Sequence, residues 1–307
     1  NKMKEKDKLT QKIFDMYQQY PFPDIDYKMD YSLPLIRFFV KHAPKGKKNL
    51  LEGSKIMEAG CGTGNTIIKL AESCPKGDFL GLDMVTNSLN IARKKTDLKN
   101  LKFTEQNILD MKHEGKFDVI LCIGVLHHLS DMKKGIESLA KNMKDDGYII
   151  LWLYGKDGRF KLNLNQRMLS ILLKNVSSLK TKVSLTKSLL FKGPSKHLEC
   201  HFNVPDSKIE NQWKESINFL MKHDNWLVDQ FLHYNEKVVD MQDIFNLIEP
   251  VNLEIKEWLG VPIDFKQYVP DEDLNSLFKN LSEKEKLFVL DDLLKPNYYF
   301  IVLKKKR

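Results

Sequence analysis

The sequence predicts an α/β fold, a mostly parallel sheet of seven strands with helices on both faces. Between Lys55 and Tyr154, short apolar runs alternate with segments of helical period. A glycine-rich turn follows the first run, and two more strand-like runs lie near the C-terminus. Strand and helix in alternation require crossovers, and crossovers cover both faces of a parallel sheet.

The elements follow in order. An N-terminal helix is expected over Leu9–Gln19, ending at the prolines of YPFP, because Pro lacks a donor and crowds the preceding turn. SKIMEAG, GDFLGLD, LKFTEQN, FDVILCIG and GYIILWLY read as buried strands bounded by Gly or polar residues. NTIIKLAESC, SLNIARKKT and MKKGIESLAKNM place apolar residues three or four apart and read as amphipathic helices. Helical periods then dominate through Arg167–Lys192 and Lys208–Lys222, and MQDIFNLI forms a further short helix. The last strands are expected at Leu253–Leu259 and Tyr298–Lys304, with helix over Asp271–Leu294 between them. The expected organisation is a helical cap (1–54), a core (55–154), a basic helical insert (155–238) and a completion of the sheet (239–307) carrying a second helical insert at 260–297.

The 307 residues are 42% hydrophobic and 29% charged, enough apolar mass to bury a core and too much for intrinsic disorder. Cys61, Cys74, Cys122 and Cys200 form no CxxC pair, so reduced, intracellular thiols are expected. The longest apolar stretch, Tyr148–Tyr154, is too short to span a bilayer, and NKMKEKDKLTQK lacks a signal-peptide apolar region. These features lead to the expectation of a soluble, cytoplasmic protein. Charge is concentrated: residues 155–196 carry ten basic side chains against Asp157 alone, a local +9 that exceeds the +8 of the whole chain. Two readings stay open, a solvated helical face and an attachment surface for an acidic partner.

In KIMEAGCGTGN, Gly60, Gly62 and Gly64 lie between the first strand and the helix beginning near Asn65. Glycines there admit positive φ and close backbone approach, while the helix start offers free N–H groups. Asp83 ends the next strand, placed to accept both hydroxyls of a ribose. A dinucleotide fingerprint is excluded on chemistry, since Asn65 occupies the position of its third small residue. Glu58, moreover, repels a pyrophosphate and attracts an ammonium. The set suits a ligand with an amino acid at one end and a ribose at the other.

These residues resemble the first two motifs of class I S-adenosylmethionine (SAM)-dependent methyltransferases. EQNILDM puts Asn107 and Ile108 where the family normally has an acidic–small pair beside the adenine. FDVILCIGVLHHL is similar to the fourth-strand motif, with Cys122, Ile123 and Gly124 beside the cofactor, and KDDGYIIL to the turn into the fifth strand. The resemblance runs through Lys55–Tyr154. It implies a Rossmann-like fold, SAM as cofactor, contacts from Cys61 and Met84 as well, and an antiparallel pair made by the two C-terminal strands.

YQQYPFP, LYGKDGR and DNWLVDQFLH resemble a subgroup with a large insert after the fifth strand, which implies a lid built from the N-terminal helix and the insert. His127 is a candidate general base; the alternative is that His127 and His128 open a helix, one buried and one exposed. Tyr17 and Tyr20 either cover the site or pack in the core. Trp226, Asp229 and His233 share a helical face by spacing, lining a pocket or leaving an Asp229–His233 surface pair. Tyr154 and Arg159 leave the fifth strand at the substrate edge, and Arg159 suits a carboxylate or phosphate. No metal cluster is expected, since transfer from a methyl sulfonium needs none. The expected activity is methylation of a polar or acidic small molecule. The alternatives are an RNA or protein substrate docked on residues 155–196, contact of that segment with an anionic membrane, and a non-catalytic SAM-binding protein.

Overall fold

A computed structural model describes residues 2–25, 32–112, 116–192 and 209–306, which leaves the expectations for Cys200 and Lys196 outside the described residues. The strands are β1 (Lys55–Ala59), β2 (Asp78–Asp83), β3 (Leu101–Glu105), β4 (Phe117–Ile123), β5 (Met143–Tyr154), β6 (Leu253–Trp258) and β7 (Tyr298–Lys305). The helices are α1 (Lys2–Gln19), α2 (Ser32–Lys41), α3 (Asn65–Ser73), α4 (Thr86–Lys94), α5 (Met132–Asn142), α6 (Phe160–Leu172), α7 (Leu179–Lys192), α8 (Ile209–Lys222), α9 (Asp224–Phe231), α10 (Met241–Ile248), α11 (Glu272–Lys279) and α12 (Glu283–Leu294).

The seven strands form one sheet in the order β3-β2-β1-β4-β5-β7-β6. β1 to β5 are parallel, with α-helical crossovers after β1, β2 and β4 and a connection carrying one 3-10 turn, Ile108–Asp110, between β3 and β4. Only β7 runs against the rest: it is antiparallel to both β5 and β6, so β6 at the edge points the same way as the parallel set. The expected antiparallel pair of C-terminal strands is present, and of the two only β7 is reversed relative to β1–β5. The long helical connection before β6 carries the chain back to the other end of the sheet, whereas that before β7 returns at the same end and reverses the strand.

Successive residues of a strand face opposite sides of the sheet, which yields two cores. Met57, Ile120 and Leu151 pack with Ile136 of α5, Ile244 of α10 and Leu290 of α12. Ile56, Val119 and Ile150 pack on the other side with Phe38 of α2 and Ile67 of α3. A third core lies off the sheet, where Met16 of α1 joins Leu169 of α6, Val183 of α7, Leu220 of α8 and Leu227 of α9. The N-terminal helix and the insert therefore share one apolar interior.

Local chemistry explains the breaks in the helical stretches. The Ser178 hydroxyl accepts the Thr181 N–H at 3.3 Å and restarts the chain as α7, dividing the expected helix over Arg167–Lys192. Ser282 forms a capping box with Glu285, which separates α12 from α11. Among the described residues, no helix is long and apolar enough to cross a membrane. Cys61, Cys74 and Cys122 are buried free thiols.

Gly155, where β5 ends, has no room for a side chain: a Cβ would stand 2.0 Å from the Pro296 carbonyl oxygen. Gly155→Ala is expected to destabilise the fold by about 1–3 kcal/mol, the usual cost of overpacking, measured as a lower midpoint in urea at unchanged m value.

Candidate functional site

The turn after β1 is fixed by backbone bonds to its neighbour β2. The Gly60 and Cys61 N–H groups donate to the Leu82 carbonyl at 2.7 and 2.9 Å. Asp83 then closes the turn with both carboxylate oxygens, Oδ2 accepting the Gly62 N–H at 2.8 Å and Oδ1 the Val85 N–H at 2.9 Å. Burial raises the Asp83 carboxyl above its usual range, and these N–H bonds oppose the rise. Gly62 has φ +52°, and a Cβ there would strike the Phe22 carbonyl oxygen at 2.4 Å. The YPFP segment lies across the turn: the Thr63 N–H donates to the Phe22 carbonyl at 3.3 Å, and the Thr63 hydroxyl to the Pro23 carbonyl at 2.7 Å.

A cavity of about 500 Å³ opens at the carboxyl ends of β1, β2, β4 and β5, and α1 and α9 contribute to its wall. Of the residues expected at the cofactor, Glu58, Gly60, Cys61, Gly62, Asp83 and Met84 line one side. Asn107, Ile108, Ile123 and Gly124 line another. Asn107 also caps its own turn, accepting the Leu109 N–H at 2.9 Å. Gly64 and Cys122 are not on the wall. Gly64, at φ +82°, faces Ile68 and Ala92 and allows α3 to pack closely. Cys122 is fully buried in the core, because alternation along β4 brings Ile123 to the cavity instead.

Tyr154 and Arg159 reach the opposite end of the cavity. The guanidinium lies 3.4 Å from the Tyr154 ring centroid and donates to Glu236 Oε1 at 3.1 Å, with both side chains of the ion pair 5% exposed. The expected external anion thus has an internal counterpart, Glu236, 77 residues away. His127 is not on the wall either. Its ring is fully buried against His128, Trp152 and Tyr154, and neither ring nitrogen has a hydrogen-bond partner among the described residues. Burial holds its pKa well below the usual histidine value, so it stays neutral. The next residue, His128, lines the cavity.

His233 lies beyond the end of α9, not on its face as the spacing predicted, and Asp229 is buried rather than at the surface. The two are joined through Tyr17 of α1, whose hydroxyl donates to Asp229 Oδ1 at 2.7 Å and lies 3.1 Å from His233 Nε2. His233 Nδ1 accepts the Asn235 N–H at 3.0 Å, so the neutral ring carries its proton on Nε2 and donates it to Tyr17. His128 Nδ1 lies 2.9 Å from the Asn235 carbonyl, which can only accept, so the His128 lone pair is on Nε2. Burial, with Asp229 as the next cause, lifts the Tyr17 phenol well above its usual pKa. His128, Asp229 and His233 offer ligand atoms within 4.8 Å of one another. That trio does not fit a metal as it stands, because both His233 nitrogens are already committed.

Sequence spacing did not reveal the Tyr17–Asp229 bond, formed across 212 residues, or the carbonyls of Phe22 and Pro23 over the turn. Trp152 was legible through strand alternation, two residues before Tyr154 on the same face.

Residues 50–193 match the family model of a methyltransferase domain. An uncharacterized protein of Synechococcus is 27% identical over 179 residues, covering 54% of this chain and 42% of that protein. The tRNA U34 carboxymethyltransferase of Sulfurimonas denitrificans is 27% identical over 188 residues, 57% of this chain and 62% of the other. Other matching relatives are named as O-methyltransferases, including one of ubiquinone biosynthesis. PKMT2 from Rickettsia typhi, solved in complex with AdoHcy, superposes with a TM-score of 0.66 at 19% identity, covering 94% of this chain and 55% of that one. The chain thus spans roughly half the length of several proteins it matches.

Burial pushes the Glu58 carboxyl up to about 8, against the Ile67 N–H and Thr66 side chain that favour its ionised form. The folded state therefore binds this proton more tightly than the unfolded chain does. Its contribution is complete below the ordinary carboxyl pKa and is lost as pH rises through about 8. Melting of the unliganded protein is expected to fall between pH 5 and 9 by an amount on the order of a few kcal/mol, and Glu58→Gln to flatten that slope. Gly62→Val is expected to push the Phe22 segment off the turn, read as faster amide exchange at Thr63.

Proposed function

We infer that the chain, whose residues 50–193 carry a class I SAM-dependent methyltransferase domain, transfers a methyl group to a small acceptor bound between that domain and the α1–α9 wall. The observation that carries this reading is one continuous cavity lined by Glu58, Gly62 and Asp83 together with Tyr17, His128 and Asp229.

The residues present fit SAM. The Asp83 carboxylate, held by backbone N–H groups, has about four lone-pair sites and so keeps acceptor capacity for a ribose hydroxyl. Glu58 offers a carboxylate to the amino-acid end; a bound ammonium favours its ionised form and offsets the burial that raises its pKa. Ile108 and Ile123 supply apolar walls suited to a base. When bound, the sulfonium supplies an electrophilic methyl carbon, attacked in line by the acceptor. The protein's own task is alignment and exclusion of water. α1 and α9 serve that purpose, joined by the shared core and by the Tyr17–Asp229 bond.

An RNA or protein substrate docked on the basic segment is the second reading, favoured by the tRNA enzyme among the relatives. The two readings differ in salt response, since attachment through many lysines weakens steeply with ionic strength and an enclosed pocket does not.

Calorimetry with S-adenosylhomocysteine is expected to show one site, and Asp83→Ala to weaken it about tenfold or more, since a lost charge-assisted hydrogen bond costs about 1.5–3 kcal/mol. With methyl-labelled SAM, turnover is expected on members of a small-molecule panel and to change little between 50 and 300 mM salt. Labelling of RNA or protein alone, abolished by salt, would transfer the assignment to the second reading.

A further inference from the structure

The chain is basic, yet the cavity is acidic. Among the described residues that line it, Glu58, Asp83 and Asp229 are carboxylic acids, Arg159 is the one cation and no lysine is present. Arg159 is paired with Glu236 at 3.1 Å and brings no net charge. The lysines of residues 155–192 lie outside the wall, which removes them as partners for an acidic substrate. At the acceptor end, Asp229 Oδ1 is bonded to Tyr17 and its second oxygen makes no hydrogen bond among the described residues. Tyr17, Trp152 and Tyr154 also line the cavity, with one face of the Tyr154 ring covered by the Arg159 guanidinium.

Resting on the methyl-transfer reading, we propose that the methyl acceptor is a primary amine, held as its ammonium by Asp229 among these aromatic walls, with His128 Nε2 as the base that receives its proton. A carboxylate and aromatic faces attract an ammonium, and both repel an anion. Charge along the reaction separates amine from oxygen acceptors. An ammonium gives one proton to His128 and becomes neutral. Its lone pair then bonds to the methyl carbon as the carbon–sulfur bond breaks with its electrons on sulfur, leaving a methylated ammonium and a thioether. A hydroxyl acceptor gains negative charge instead, and does so beside Asp229. The Asn235 carbonyl fixes the His128 tautomer with its lone pair on Nε2, and the His233–Tyr17 chain orients the Asp229 carboxylate.

The probes are n-butylamine, 1-butanol and butanoate, each added to the full chain with S-adenosylhomocysteine present and followed by fluorescence of the cavity residues Trp152 and Trp226. Butylamine alone is expected to bind, and with SAM to yield N-methylbutylamine by mass spectrometry. Asp229→Asn is expected to weaken butylamine binding about tenfold or more, as for loss of a charge-assisted bond, while S-adenosylhomocysteine affinity changes by less than about twofold. His128→Gln is expected to leave butylamine binding intact and to lower the methylation rate about a hundredfold, the usual cost of losing a general base. Preferred binding or methylation of butanoate or butanol, or unchanged butylamine affinity in Asp229→Asn, would overturn the proposal. So would absence of butylamine binding in a chain that binds S-adenosylhomocysteine. Failure to bind S-adenosylhomocysteine at all would instead bring down the methyl-transfer reading beneath it.

Discussion

The Asp83 carboxylate is the constraint on which the site depends. A turn of three positive-φ glycines has little conformational preference of its own, and its buried N–H groups must find acceptors. The Leu82 carbonyl takes Gly60 and Cys61, and Asp83 beside it takes Gly62 on one oxygen while the other holds Val85 just past the end of β2. The same side chain lines the cavity. One residue therefore shapes the loop and faces the cavity, so the position of the turn relative to β2 is inseparable from the shape of that wall.

Charge is sorted by location. Basic side chains collect on the insert, whereas the cavity walls are acidic apart from a guanidinium neutralised at short range. Net charge governs long-range attraction and encounter; the few groups facing the cavity govern which ligand is retained. A positive chain can accordingly enclose a site that favours cations. Reading substrate class from the charge of the chain, or from Arg159 in isolation, leads to an acidic acceptor, and the position of Glu236 removes the basis for that choice.

What the sequence made legible was local or periodic. β1 to β5, the helices between them and the glycine turn all follow from apolar spacing and from φ preferences, and they include most of the cofactor wall. Groups paired across the chain were not legible. Glu236 has no local pattern that marks it as the partner of Arg159, and Tyr17 meets Asp229 only after the insert has folded back over the sheet. His127 and His128 are neighbours with the same chemistry; only the fold determines that the second faces the cavity. The direction of β6 likewise depends on where long connections deliver the chain, which strand periodicity does not encode.

The shared interior of α1 and the insert affects how the molecule is made. Met16 and Tyr17 leave the ribosome about two hundred residues ahead of their partners Leu220, Leu227, Asp229 and His233. Contacts so distant along the chain carry a high closure cost and form late. During synthesis β1 to β5 emerge before these partners, so the sheet can assemble while the nascent N-terminal helix still lacks its permanent berth. The roof of the cavity is thus set in place after the β1–β5 platform, and a cofactor molecule meeting that platform first would find an open-topped crevice.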